Sequence, residues 1–328
     1  VSPPAEIARL AQRVGKRDAR AVARVISALE NDPDFAQGFI PALAPFWSKR
    51  PRLGITGSPG VGKSTVINGL VKLLRARGQR VGVVAVDPTS PFSGGAILGD
   101  RVRMQGVQND EGVFIRSMGS RGSLGGLSAA TSSAVRVLEA FGSDFILVET
   151  VGMGQTGFDI VDIADTVTLL LSPESGDGVQ TMKAGVMEIA DMYVVNKADR
   201  PGAEGLVVEI QSLLGMIEER LQWKPAVFTV KALEGEGLPR ILDVFERHQS
   251  FLRERGQYEG RRLRQVASEI RFIVESQTRR RTFAATDFRR QLDELAGRVV
   301  AGELDAYSAA QIIMKEVRRR LGDRRKRK

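Results

Sequence analysis

From residue 52 onward the chain alternates short apolar runs with longer amphipathic stretches, and within the runs polarity does not alternate. Val81-Gly-Val-Val-Ala-Val86 and Phe145-Ile-Leu-Val148 are free of polar side chains throughout. A strand with one wet face shows a polar residue at every second position. Continuous apolar runs belong instead to strands covered on both faces, as in a parallel sheet between two layers of helices. Such runs predict strands at 52–57, 81–86, 113–116, 144–150, 166–172, 192–196 and 226–230. The fold class that follows is α/β, with a mostly parallel central sheet flanked by helices. Ahead of it, Ile7, Leu10 and Val14, then Val22, Val25, Ile26 and Leu29, keep the spacing of one helix face, and Asn31-Asp32-Pro33 ends that helical segment. Strand signals stop beyond residue 240, where 261–277, 286–300 and 305–321 read as helices. The expected organisation is an N-terminal helical segment over 1–50, a sheet domain over 51–250 and a C-terminal helical extension over 251–328.

The 328 residues include no cysteine and one histidine, His248. That removes disulfides, thiolate nucleophiles, Cys-ligated clusters and two-His metal sites from consideration. His248, near the end of a helix in Arg247-His248-Gln249, is expected to be a solvated polar residue without a catalytic role. No apolar run approaches the roughly 18 residues that cross a bilayer. Val1-Ser2-Pro3-Pro4 opens onto a charged amphipathic segment and not onto the apolar block of a signal peptide. The cytoplasm is the expected compartment, with no membrane partner. The net charge of +9 is confined to one end: residues 1–250 carry 27 basic and 28 acidic side chains, 251–314 carry 12 and 9, and 315–328 carry 9 and 2. Arg324-Arg-Lys-Arg-Lys328 therefore reads as a solvated basic tail, and no nucleic-acid partner is expected.

The first chemical motif is Gly57-Ser58-Pro59-Gly60-Val61-Gly62-Lys63-Ser64-Thr65, which satisfies G-x-x-x-x-G-K-[ST] between a predicted strand and a predicted helix. Glycines in this context let successive backbone N–H groups turn inward around phosphate oxygens, and the helix N-terminus adds its positive end. Lys63 is placed to bridge the outer phosphates and Ser64 to ligate magnesium. Asn196-Lys197-Ala198-Asp199 follows directly on the apolar run Met192-Tyr-Val-Val195. The Asp199 carboxylate can accept from guanine N1–H and the exocyclic amino group together, a donor pair that adenine lacks, so the expected nucleotide is GTP. Lys231, Ala232 and Leu233, after the last strand, stand where a backbone N–H can reach the guanine oxygen, although Ser-Ala is the commoner pair there. Glu149 ends a buried strand and is a carboxylate for the magnesium sphere; Gly152 offers its N–H to the γ-phosphate. Asp87 and Asp100 are further magnesium candidates, with a turn or cap role as the alternative for each.

These residues resemble the MeaB-type P-loop GTPases, G-protein chaperones of adenosylcobalamin-dependent acyl-CoA mutases such as methylmalonyl-CoA mutase, a family also labelled ArgK or LAO/AO transport kinase. The resemblance rests on Gly57 to Thr65, on Val86-Asp87-Pro88-Thr-Ser90 with Ser93-Gly-Gly95-Ala-Ile-Leu-Gly-Asp100, and on Ser120-Arg121-Gly122-Ser-Leu-Gly125-Gly126. It continues through Val148-Glu149-Thr150-Val151-Gly152-Met-Gly154-Gln155 and Asn196 to Asp199. It implies slow GTP hydrolysis to GDP with magnesium, docking on a mutase whose cofactor loading is gated and protected, and a homodimer. The resemblance also implies a partner-sensing segment, carried here by Asp177, Gln180 and Lys183. Lys183 is a candidate to approach the γ-phosphate; Arg103 and Gln155 are further catalytic candidates beside Lys63.

Two departures stand out: Thr156-Gly157-Phe158 follows Gln155 where the family tends to place an acidic residue, and Glu174-Ser175 stands where small residues are common. They bear on which mutase is served. A metal-insertion GTPase of related fold would carry clustered His or Cys, which this chain lacks. A protein-targeting GTPase would need a Met-rich C-terminus, yet beyond residue 216 there is only Met314. For the kinase label, no acceptor site is identifiable.

Overall fold

The computed structural model describes residues 4–87, 107, 110–119, 129–150, 160–174, 189–217, 219, 221–284 and 288–325. Seven strands form one sheet: β1 (Arg52–Thr56), β2 (Val81–Asp87), β3 (Val113–Gly119), β4 (Phe145–Thr150), β5 (Thr166–Leu171), β6 (Met192–Val195) and β7 (Ala226–Thr229). Their order is β3-β2-β4-β1-β5-β6-β7, and every pairing is parallel. All carboxyl ends therefore share one edge. β1 lies between β4 and β5, where the chain switches from building one side of the sheet to the other, and ligands of open α/β sheets bind outside the carboxyl ends at such a point.

The unalternating runs are buried on both faces as their composition requires. On one face Val84, Val86, Ile146, Val148 and Val167 share a core with α1 (Pro4–Gly15), α2 (Ala19–Asn31), α3 (Pro33–Ala42) and α5 (Ala129–Ala140). Farther along, Leu169, Leu171, Tyr193 and Val195 pack against α6 (Ala203–Gly215). On the other face Leu53, Ile55, Val83, Leu147 and Val194 meet α4 (Lys63–Ala76) and α7 (Leu238–Glu254). The N-terminal helices thus complete one layer of the sheet domain. Asn31-Asp32-Pro33 ends α2, but it also starts α3: the Asp32 carboxylate accepts from Asp34 N at 2.9 Å, and Pro33 takes the first-turn position that needs no N–H partner. The helical segment expected to stop there continues for a third helix.

Beyond α7 come α8 (Gln257–Ala284), α9 (Phe288–Val300) and α10 (Ala306–Arg325). The chain divides into two compact units, residues 1–266 and 267–328, so the division falls inside α8. In the second unit Leu295, Ala309, Ile313 and Val317 form a small core between α9 and α10. Among the described residues no helix is long and apolar enough to cross a membrane.

Candidate nucleotide-binding site

The phosphate-loop motif leaves β1 and enters α4. Gly62 caps the helix at φ 96°, and a Cβ there would lie 2.3 Å from Asn196 Nδ2; at Gly57, a Cβ would lie 2.2 Å from the Leu170 carbonyl oxygen. Neither position has room for a side chain. Val61 is wholly buried in the core beneath the loop, which anchors it from below. The Lys63 ammonium folds over the loop and donates to Gly57 O (2.9 Å) and Ser58 O (3.1 Å). Ser64 Oγ donates to Glu149 Oε1 at 3.1 Å, and both residues are buried. A hydroxyl from the first turn of α4 and a carboxylate from the end of β4 are thereby side by side. Both are hard oxygen donors, and this pair fits a magnesium ion sharing its shell with phosphates and water. Ser58, Pro59, Gly60 and Thr65 complete the motif around them.

At the end of β6, the buried Asn196 ties three segments together. Its Nδ2 donates to Val61 O (2.9 Å), its Oδ1 accepts from Ala232 N (3.1 Å), and its backbone N–H reaches Leu171 O (2.8 Å). Lys197 turns the chain through a left-handed conformation, φ 59°. Its ammonium pairs with Glu174 at 2.7 Å, which holds the Glu174 carboxyl below the usual range. Asp199 is half exposed and 3.5 Å from Arg200 Nε, leaving carboxylate lone pairs toward solvent. The loop after β7 is closed by a bridge between Lys231 and Glu236, whose side chains pair at 2.7 Å; this raises the Lys231 ammonium above its ordinary value. Ala232 is buried and Leu233 exposed within that loop.

Of the other sequence candidates, Asp87 ends β2 in register with Gly119. Asp100, Arg103, Gly152, Gln155, Asp177, Gln180 and Lys183 lie outside the described residues.

His248 departs from expectation. It is 1% exposed, on the face of α7 that also buries Ile241, Phe245 and Leu252. That spacing was the available signal. Its Nδ1 is 2.9 Å from Thr166 Oγ1, which accepts from Gln249 Nε2, and its Nε2 is 3.3 Å from Asp191 Oδ1. The carboxylate requires the ring proton on Nε2, so Nδ1 accepts from the Thr166 hydroxyl. Burial pulls the imidazole down to about 4, against the attraction of Asp191 and with Arg261 adding to the shift. A second buried cluster joins Arg52, Glu139, Asp165 and Arg262. Glu139 accepts from Arg52 Nη2 at 2.8 Å and from Trp47 Nε1, and Arg262 Nη2 donates to Asp165 at 2.8 Å. These groups come from four distant stretches, and nothing local in the sequence announces their meeting.

The family model described as "Methylmalonyl Co-A mutase-associated GTPase MeaB" matches residues 19–287. The chain belongs to this family. A Pyrococcus abyssi protein named as a GTPase is 45% identical over 311 residues, 94% of this chain and 96% of that one. The mouse protein "Methylmalonic aciduria type A homolog, mitochondrial" is 34% identical over 273 residues, 82% of this chain and 66% of that one. The crystal structure of an LAO/AO transport system kinase superposes with a TM-score of 0.72 at 25% identity, covering 97% of this chain and 99% of that chain. MeaB-family membership implies binding of GTP and GDP in a P-loop GTPase fold.

Proposed function

We propose that this protein hydrolyses GTP to GDP and phosphate with magnesium and acts as the chaperone of an adenosylcobalamin-dependent acyl-CoA mutase. The observation that carries the nucleotide reading is Asn196, which draws the phosphate loop, the base-reading turn and the loop after β7 onto one edge of the sheet. In this reading the N-terminus of α4 and Lys63 hold the phosphates, and the Ser64–Glu149 pair holds the cation. Asp199 accepts from guanine, and the backbone of Lys231, Ala232 and Leu233 faces the guanine oxygen. What magnesium supplies when bound is charge neutralisation on the phosphate oxygens. Gly152, Gln155, Asp87, Asp100, Arg103 and Lys183 remain candidates for the γ-phosphate end, with Asp177, Gln180 and Lys183 in the partner-sensing segment.

The mutase partner is supported by the family description and by the mouse relative's name. We read the C-terminal extension, 251–328, as the source of a homodimer contact. Leu263, Val266, Ile270 and Val274 recur at three- and four-residue spacing along α8 and are 71, 38, 56 and 57% exposed, an apolar stripe that a second copy would cover. The cysteine-free composition fits the cytoplasm.

The test has two arms. In competition binding, GDP should exceed ADP by about 10²-fold, and Asp199→Ala should remove that preference, since two charge-assisted hydrogen bonds are lost. Equal binding of ADP by the unsubstituted protein would sink the guanine assignment. In the second arm GTP turnover is measured with and without a methylmalonyl-CoA mutase; stimulation that Lys183→Ala abolishes is expected, and turnover indifferent to every acyl-CoA mutase tried would sink the chaperone reading.

A further inference from the structure

At the opposite edge of the sheet, where β6 begins, α7 meets α8 through a turn at Gly256 (φ 65°) and leaves a cavity of about 570 Å³. Small-molecule sites occupy roughly 300–1,000 Å³, so its size is that of a ligand pocket. One wall is aromatic: the Trp223 ring centroid lies 4.8 Å from His248 and 5.2 Å from Phe251. The Trp223 N–H is already spent on Asp191 O at 2.7 Å, so the indole offers its face and edge and no donor.

The charges nearly cancel, with one left over. Arg261 grips Asp191 through two bonds of 2.8 and 3.1 Å, and the His248 ring is neutral at ordinary pH. Among the described residues Arg264, one helical turn beyond Arg261 and also lining the cavity, makes no ion pair. The pocket therefore carries one surplus guanidinium beside an apolar wall.

Gly260 is the second observation. It lies inside α8 and lines this cavity. Glycine weakens a helix interior relative to alanine. No neighbour here demands it: a Cβ would meet only Arg264 Nη1, at an ordinary 3.8 Å. Its effect is to leave the helix backbone bare as a floor between Gln257 and Arg264. The bare backbone at Gly260 leaves the cavity room for the flat body of a small molecule.

We propose that this corner binds a small organic monoanion, a carboxylate with a flat apolar body, its anionic end on Arg264 and its body between the Gly260 floor and the Trp223–Phe251 wall. The site is separate from the nucleotide edge and does not depend on the nucleotide assignment. Because His248 is the chain's single histidine, its imidazole gives a single Hε1 signal in NMR, and that ring signal reports from the cavity wall.

The experiment titrates the full-length protein with benzoate and with benzamide, its uncharged counterpart, while the His248 ring signal is followed. Benzoate should shift the signal saturably with Kd of about 1 mM, as a ligand of so few atoms allows, and benzamide should bind at least about tenfold more weakly. Gly260→Leu, which fills the floor with a better helix former, should abolish the shift. Arg264→Gln, an exposed substitution that does not threaten the fold, should weaken benzoate about tenfold and leave benzamide unchanged. A His248 signal indifferent to benzoate, or benzamide binding as well as benzoate, would overturn the proposal. So would a benzoate affinity that Arg264→Gln leaves unaltered.

Discussion

Asn196 and His248 show how far a single side chain's meaning depends on what surrounds it. Asn196 stands in a recognisable four-residue motif, yet its two amide bonds run to Val61 O and Ala232 N, so it braces the site from beneath. Asn196→Ala leaves the buried Ala232 N–H without its acceptor, at a cost of about 1–3 kcal/mol. We expect GDP affinity to fall at least about tenfold, read by calorimetry, since the loops it aligns lose their common anchor. Unchanged GDP affinity would show that the brace is dispensable. His248 has the opposite history: it belongs to no motif, and the structure makes it the centre of a buried cluster. Its folded value of about 4 lies below the 6.5 of a free imidazole, so the unfolded chain takes up a proton that the folded protein refuses. The stability contributed by the neutral ring is complete above pH 6.5 and is lost as pH falls from 6.5 to 4, by about 3 kcal/mol in all. Urea unfolding at pH 7 and pH 4.5 should show a steeper decline for the unsubstituted protein than for His248→Gln; equal declines would refute the assignment.

Among the elements, the strands were the most legible, because their runs of Val, Ile and Leu report burial on two faces directly. All seven predicted strands appear, with ends differing by a few residues: β3 runs to Gly119, past the expected 116, because it pairs with β2 as far as Asp87. The helix ends were less legible, as Asp32-Pro33 shows, since the residues that stop one helix also start another. Least legible was what fastens the start of α8 to the sheet domain. Arg262 donates to Arg50 O at 2.7 Å and to Asp165 at 2.8 Å, beside Glu139 and Arg52. Burial pushes the Asp165 carboxyl up, and the neighbouring Arg262 and Arg52 guanidinium groups oppose that shift. Arg262→Met removes one of the two opposing charges and leaves the buried Asp165 carboxylate without its ion-pair partner, so it should destabilise the protein by about 3–5 kcal/mol. Thermal unfolding that moves by less than a degree or two would mean the cluster is better hydrated than its burial indicates.

Across the whole molecule, the proposed dimer rests on an apolar stripe that charge arithmetic would not reveal, because α8 is strongly polar elsewhere. Ile270→Glu with Val274→Glu should leave GDP binding intact and convert the protein to a monomer in light scattering; a dimer that survives both would place the contact elsewhere. The sequence by itself determined the α/β class, the strand positions and the local motifs of the phosphate loop and the Asn196–Asp199 turn. Each of these is written in residues adjacent along the chain, where spacing alone constrains geometry. Only the tertiary structure decided that Asn196 bridges Val61 and Ala232, that Glu149 stands beside Ser64, and that the lone histidine is buried. It alone showed the corner at Gly260 to be hollow. Those facts depend on which distant segments the sheet order brings together, and burial and pairing between such segments are set by packing that no local pattern encodes.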